Sequence, residues 1–185
     1  MREIRLHGRG GQGGMAGARM LATAFVREGK WASSFPEFGF ERRGAPVRAF
    51  VRVDDKPIRE KTKVYYPDCM LVIDPLLIQS QNAFEGLKPK GVLVVNGPTP
   101  HTYPDISLSL IGTVNATKIG LEEVGIAVTN TCMLGAFARA TGWVSLDSIL
   151  MSLGEYFTGD LLKKNVRCAR RGFEETVVTN IEGIQ

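Results

Sequence analysis

Between Gly14 and Glu28 the apolar residues Met15, Ala18, Leu21, Ala22, Phe25 and Val26 recur at helical spacing, and the residues just ahead of them, Glu3 to His7, read as a strand. The link between the two is "HGRGGQGG", so the chain opens as a strand, a glycine loop and a helix. After Gly29 the stretch "SSFPEFGFERRGAP" follows neither period and is expected to be irregular. A strand is expected from Val47 to Val53, with Asp54-Asp55-Lys56 turning into a hairpin arm. "CMLVIDP" is a continuous apolar run bounded by turn residues, the mark of a central parallel strand, and Pro75 suits the first position of a helix. "GVLVVNGP" repeats that signature.

A further strand in "ISLSLIGT" and an amphipathic helix in "NATKIGLEEVG" lead to three helices, Thr131 to Thr141, Ser145 to Tyr156 and Gly159 to Glu175. The alternation predicts an α/β fold: a single three-layer domain with a largely parallel (mixed) sheet, the glycine-rich loop after the first strand, and a helical C-terminal end. In the last helix Leu162, Val166, Ala169 and Phe173 share a face, leaving Lys163, Lys164, Arg167, Arg170 and Arg171 mostly to solvent.

Composition narrows the function classes. At 185 residues and 44% hydrophobic content, one domain over residues 1–185 is expected. No apolar run is long enough to span a membrane, and Met1-Arg2-Glu3 leads directly into a strand, so a soluble cytoplasmic protein is expected. The formal charge of +4 is spread along the chain without aromatic interleaving, which speaks against nucleic acid and suits a basic face toward acidic partner surfaces. Cys69, Cys132 and Cys168 are odd in number and far apart, so no disulfide framework, CxxC motif or iron–sulfur site is expected of this chain. His7 and His101 lack partners at metal-ligand spacing and read as structural or solvated residues. No local nucleophile–base arrangement is found, and neither catalytic nor metal residues are assigned.

The glycine loop carries the first candidate chemistry. Backbone N–H groups of such a turn, with the helix N-terminus behind them, suit a phosphate or a carboxylate. No Lys-Ser/Thr pair follows, so the loop is not a P-loop. Gly8, Gly10 and Gly13 match GxGxxG by count, but no acidic residue ends a second strand where a dinucleotide ribose would need one. A free-standing Rossmann-type dinucleotide-binding oxidoreductase therefore stays as an alternative, with a nucleic-acid-binding module behind it. Positive φ and close helix–strand packing account for Gly8 and Gly13; they leave Arg9 and Gln12 as polar side chains at the sheet edge where ligands sit. The second candidate is "FPEFGFERRGAP", too irregular for a helix and too apolar for a free linker. It reads either as a loop folded on its own domain, with Glu41 pairing Arg42 or Arg43, or as a subunit or ligand interface.

Taken together and in order, "IRLHGRGGQGGMAGARMLATA", "FPEFGFERRGAPVRAFVRV", "VLVVN" and "NTCMLGAFARATG", ending in "KKNVRCARRGFEE", resemble the gamma subunit of 2-oxoacid:ferredoxin oxidoreductases, the family that includes pyruvate synthase. The resemblance covers essentially the whole chain. It implies one part of an enzyme that oxidatively decarboxylates a 2-oxo acid to an acyl-coenzyme A and passes two electrons through iron–sulfur clusters. Thiamine diphosphate would lie between alpha and beta subunits, with clusters in the beta and the ferredoxin-like delta subunits. The resemblance assigns Arg9, Gly10, Gly11, Gln12 and Gly13 to a loop near the substrate or coenzyme A region. It assigns Glu37, Glu41, Arg42 and Arg43 to inter-subunit or ligand-facing contacts. "ERRGAPV" looks more like the pyruvate and branched-chain or aryl members than the 2-oxoglutarate ones. "GQGGMAGARM", with Met15 just after the loop, leaves room for an aryl variant such as phenylglyoxylate dehydrogenase, whose electrons leave to NAD through another subunit instead of to ferredoxin.

Overall fold

A computed structural model describes residues 1–37, 44–79, 84–97 and 107–181. Among these residues seven strands form one mixed sheet: β1 (Arg2–Arg9), β2 (Trp31–Pro36), β3 (Pro46–Asp54), β4 (Cys69–Val72), β5 (Gly91–Asn96), β6 (Leu108–Val114) and β7 (Val177–Asn180). Their order is β2-β3-β1-β4-β5-β6-β7. The centre, β1-β4-β5-β6, is parallel, as the apolar runs "CMLVID" and "GVLVVN" lead one to expect; β3 and β7 pair antiparallel with its two margins, and β2 pairs antiparallel with β3 and so runs in the direction of the centre. Among the described residues five α-helices accompany it: α1 (Gly14–Arg27), α2 (Ala116–Val124), α3 (Asn130–Thr141), α4 (Leu146–Leu153) and α5 (Gly159–Glu175).

Strand alternation sorts the side chains onto two unlike faces. Ile4 and Leu6 of β1, Val51 and Val53 of β3, Leu71 of β4 and Val94 of β5 face the helices and join Leu21, Phe25, Met133, Phe137 and Ile149 in the larger core. Phe25 and Phe137 meet edge to face at 6.3 Å, a geometry that adds to their burial. On the other face Met70, Val72, Leu93, Val95 and Ile111 form a smaller core. It is closed by Leu77, from the 3-10 turn Pro75–Gln79, and by Phe84 and Leu87. The rest of that face, over β3 and β1, buries polar and charged side chains beside Phe50: Arg5, His7 and Arg52 are all buried there. Arg52 donates to Glu3 Oε1 at 2.8 Å and reaches the carbonyls of Glu60 and Lys63 at 3.3 and 3.4 Å, so one guanidinium pins the irregular segment after β3 to the sheet.

Several local expectations are corrected. The hairpin partner of β3 precedes it: β2 pairs with β3, and no strand follows Asp54-Asp55-Lys56 before β4. Trp31–Pro36 thus is a strand where an irregular stretch is expected; its pattern is masked because Ser33 stands between Trp31 and Phe35 on one face and Ser34 between Ala32 and Pro36 on the other. Val26, placed by its spacing on the core face of α1, is exposed. Pro75 does open a helix, though only a one-turn 3-10 piece. The fourth helix stops at Leu153, not at Tyr156, with Gly154 as its cap. After α5 the chain adds β7 on the sheet edge, a four-residue strand whose short β-branched run lies at the very end of the pattern.

Helices α3 and α5 approach so closely that they need glycine on both sides. A Cβ on Gly135 would overlap the Ala169 carbonyl, and one on Gly172 the Cys132 carbonyl. Gly135→Ala should cost about 3 kcal/mol by overpacking, whereas Gly154→Ala, where the added methyl meets ordinary space, should stay within about 0.5 kcal/mol. Urea unfolding of the two variants beside the parent chain checks this; equal midpoints would mean that the helices are not in contact at Gly135.

Candidate functional site at the glycine-rich loop

Strand β1 ends at Arg9 with its register to β3 still intact, Arg9 opposite Pro46. The ladder then runs on through backbone groups of the loop: the Gly10 N–H donates to Ala45 O at 2.9 Å and the Gly44 N–H donates to Gly10 O at 3.2 Å. The glycine loop and the segment leaving the second motif are therefore stitched together. Gly11 and Gly13, at φ +97° and +75°, turn the chain into α1. Gly13 is the N-cap and so brings no capping side chain, and the first turn of α1 holds no acidic residue. The helix start keeps its N–H groups and its partial positive charge for whatever lies in front of it.

The polar side chains of the loop are held from behind. Gln12 Oε1 accepts the Arg9 N–H at 2.7 Å, while Gln12 Nε2 and Arg9 Nε both donate to Asp74 Oδ2 at 2.9 Å. Arg9 Nη1 reaches Gly44 O at 3.2 Å. Asp74 is itself fixed, since its Oδ1 caps the 3-10 turn through the Leu76 N–H at 2.9 Å. Asn130, at the start of α3, donates from Nδ2 to Gly13 O at 3.3 Å. One strand further along the same edge, Asn96 bonds Ile73 O at 2.9 Å and Thr117 Oγ1 at 3.0 Å. In front of the loop lies a cleft of about 620 Å³ with two characters: Met15, Ala16, Val47 and Ala49 give it apolar walls, and Arg9 with the loop backbone gives it a polar, electropositive rim.

Of the residues singled out from the sequence, Arg9, Gly10, Gly11 and Gly13 line this cleft, and Gln12 serves as the internal strut of the loop. The positive-φ positions are Gly11 and Gly13; Gly8 belongs to β1, where a Cβ would crowd Gln12 Oε1 at 3.3 Å. Glu37 turns into its own chain, with its carboxylate between Lys63 and Arg48. Glu41, Arg42, Arg43 and His101 lie outside the described residues. Asp74 was missed; its signal was an acidic residue closing the apolar run "CMLVIDP", at the C-terminal end of a parallel strand.

His7 is buried against Arg5, whose Nε donates to His7 Nε2 at 2.9 Å. Burial first, then the charges of Arg5 and Arg48, push its pKa down to about 3, so the ring is neutral. Burial also pushes the three cysteine thiols up, Cys168 to about 11, and keeps them protonated. Three such thiols, in β4, α3 and α5, cannot supply the four thiolates of an iron–sulfur cluster. Among the described residues no group of three His, Cys, Asp or Glu side chains is placed to hold a metal ion. Nor is any described helix long and apolar enough to cross a membrane.

Fold and site together define an α/β domain with a cleft at the glycine loop that has apolar walls and a polar rim. A family model described as pyruvate ferredoxin/flavodoxin oxidoreductase matches residues 3–175, and the chain belongs to that family. It is 48% identical over 184 residues to the gamma subunit common to the pyruvate and ketoisovalerate oxidoreductases of Thermococcus litoralis, covering 96% of this chain and 98% of that one. It is 46% identical over 187 residues to the gamma subunit of the NADH-dependent phenylglyoxylate dehydrogenase of Aromatoleum evansii, covering 98% and 97%. The crystal structure of the pyruvate oxidoreductase subunit PORC from Thermotoga maritima superposes with a TM-score of 0.86 at 38% identity, over 97% of this chain and 98% of that one. The chain is thus a gamma-type subunit of an oxidoreductase, as the resemblance of its motifs implied, and neither a free-standing dinucleotide enzyme nor a nucleic-acid module is favoured.

Two predictions follow from the local geometry. Gly11→Ala should cost about 1 kcal/mol for its backbone conformation alone, since nothing lies within 4 Å of the added methyl. Gly13→Ala should cost about 3 kcal/mol, because its methyl would also stand 2.5 Å from Asn130 Nδ2. Denaturant midpoints give the order directly.

His7 sets a pH dependence. Its folded pKa lies below the unfolded value of about 6.5, so the unfolded chain takes up the proton first. The stability held by the neutral ring is complete above about pH 6.5 and is lost as pH falls from there toward about 3. Between pH 7 and pH 5 the parent chain should lose roughly 2 kcal/mol more than His7→Gln. Parallel pH profiles for the two would show that His7 does not titrate on unfolding.

Proposed function

We propose that this gamma-type subunit serves an enzyme that oxidatively decarboxylates a 2-oxo acid, taking pyruvate, a branched-chain or an aryl 2-oxo acid such as phenylglyoxylate. The acid and coenzyme A give acyl-coenzyme A and CO2, and two electrons leave to ferredoxin or, through a further subunit, to NAD. Thiamine diphosphate, held by alpha and beta subunits, supplies the carbanion chemistry of the decarboxylation, and clusters in beta and ferredoxin-like delta subunits carry the electrons. The assembly works in the cytoplasm. Within it this chain bears no cofactor and acts through assembly and through the surroundings of the substrate and coenzyme A.

The cleft at the glycine loop carries this reading. It couples an uncapped helix start and the Arg9 guanidinium to apolar walls, the combination that an anionic carrier with an organic arm requires. Arg9, Gly10, Gly11, Gln12 and Gly13 form the ligand-facing loop. Glu37, Glu41, Arg42 and Arg43 belong to the segment that meets a neighbouring subunit or the ligand. The backbone bonds from Gly10 to Gly44 and Ala45 support a joint role for the two motifs.

Affinity purification of the tagged chain from its native host, followed by native mass spectrometry, tests the assembly: thiamine-binding and ferredoxin-like subunits should accompany it. An active monomer would refute the reading. The second motif is tested by Arg42→Lys and Arg43→Lys in the assembled enzyme. At least one should raise either subunit dissociation or the coenzyme A requirement, because lysine keeps the charge and loses the planar fork. No change in either property would return both arginines to the solvated surface.

A further inference from the structure

Asp74 stands behind the cleft and does not line it. Its carboxylate is almost wholly buried, with 6% side-chain exposure, and carries a partner on each oxygen: Oδ1 takes the Leu76 N–H, and Oδ2 takes Arg9 Nε and Gln12 Nε2, each at 2.9 Å. Arg9, in contrast, is one-third exposed, and after Nε and Nη1 are spent on Asp74 and Gly44 O its Nη2 has no partner among the described residues.

A loop that turns at two positive-φ glycines has little stiffness of its own. The bonds from Asp74 hold both its polar side chains at once, and the long Arg9 side chain would otherwise have to be ordered each time a ligand arrives. We propose that Asp74 is the positioning residue of the glycine-loop cleft: it fixes the Arg9 guanidinium so that its free edge meets an anionic group of coenzyme A in front of the α1 N-terminus. The inference rests on the reading of the cleft given above. Asp74 touches no ligand and acts through Arg9 and Gln12.

The test uses the assembled enzyme. In Asp74→Asn the amide nitrogen at the Oδ2 position cannot accept from Arg9 and Gln12. The KM for coenzyme A should rise about tenfold, the size of a lost charge-assisted contact, with kcat changed by less than about twofold and subunit composition intact by native mass spectrometry. Because Asp74 acts through Arg9, the double variant Arg9→Gln/Asp74→Asn should match Arg9→Gln alone. Additive effects on KM, or a fall in kcat at unchanged KM, would overturn the proposal. Should Asp74→Asn fail to assemble, Asp74→Glu keeps the acceptor one methylene further out and is expected to assemble with an intermediate KM; failure of both would make Asp74 a structural strut only. An unchanged KM in Arg9→Gln defeats the reading of the cleft together with this inference. A raised KM in Arg9→Gln with an unchanged one in Asp74→Asn defeats the inference alone.

Discussion

Strand β1 is paired along both edges, antiparallel to β3 and parallel to β4, and this double pairing is the constraint on which the rest depends. Its residues have no freedom of register, because a shift by one would carry Ile4 and Leu6 out of the helix-side core and bring Arg5 and His7 into it. A strand so fixed delivers its last residue, Arg9, to a set point between two neighbours. From there the chain must leave the sheet and start a helix that packs back on it. Glycines at φ +97° and +75° make that exit, and the N-terminus of α1 ends up over the edge of the parallel strands.

The unlike faces of the sheet explain where the stability is placed. The helix side is filled by aliphatic and aromatic side chains and by the glycine-mediated contact of α3 with α5. The other side buries charge, and buried charge is tolerated only when its hydrogen bonds are made. Arg52 meets this with a carboxylate and two carbonyls, and Arg5 with His7, the Glu85 carbonyl and the Met70 sulfur. Burial, with Arg48 close by, pulls the Arg5 pKa down to about 10, yet the side chain stays charged at neutral pH. Since Arg5 occupies Nε2 of His7 as a donor, the ring serves as an acceptor and gains nothing from a proton. A histidine that looked structural or solvated in the sequence is structural, for a reason found in its neighbour two residues away.

What was legible in the sequence is what periodicity encodes. The continuous runs that became β4 and β5 and the helical spacings that became α1, α3 and α5 appear where the pattern put them, because each buries a whole face or both faces. Elements on the sheet margin were not legible. In β2 serines stand at Ser33 and Ser34, and β7 has only four residues with two exposed valines, so burial leaves little imprint on either. At the site the glycines and Arg9 could be named from the loop itself. Asp74 could not, since its importance lies in a contact 65 residues distant that only the β1–β4 pairing creates.

The pairing of β1 with β3 brings the two motifs together. "HGRGGQGG" and the end of "FPEFGFERRGAP" are separated in sequence, yet Gly10 exchanges backbone bonds with Gly44 and Ala45, and Arg9 reaches Gly44 O across the same junction. Backbone hydrogen bonds thus join the loop that leads into α1 to the segment that starts at Gly44. The loop of the first motif and the end of the second are held together at one edge of one strand.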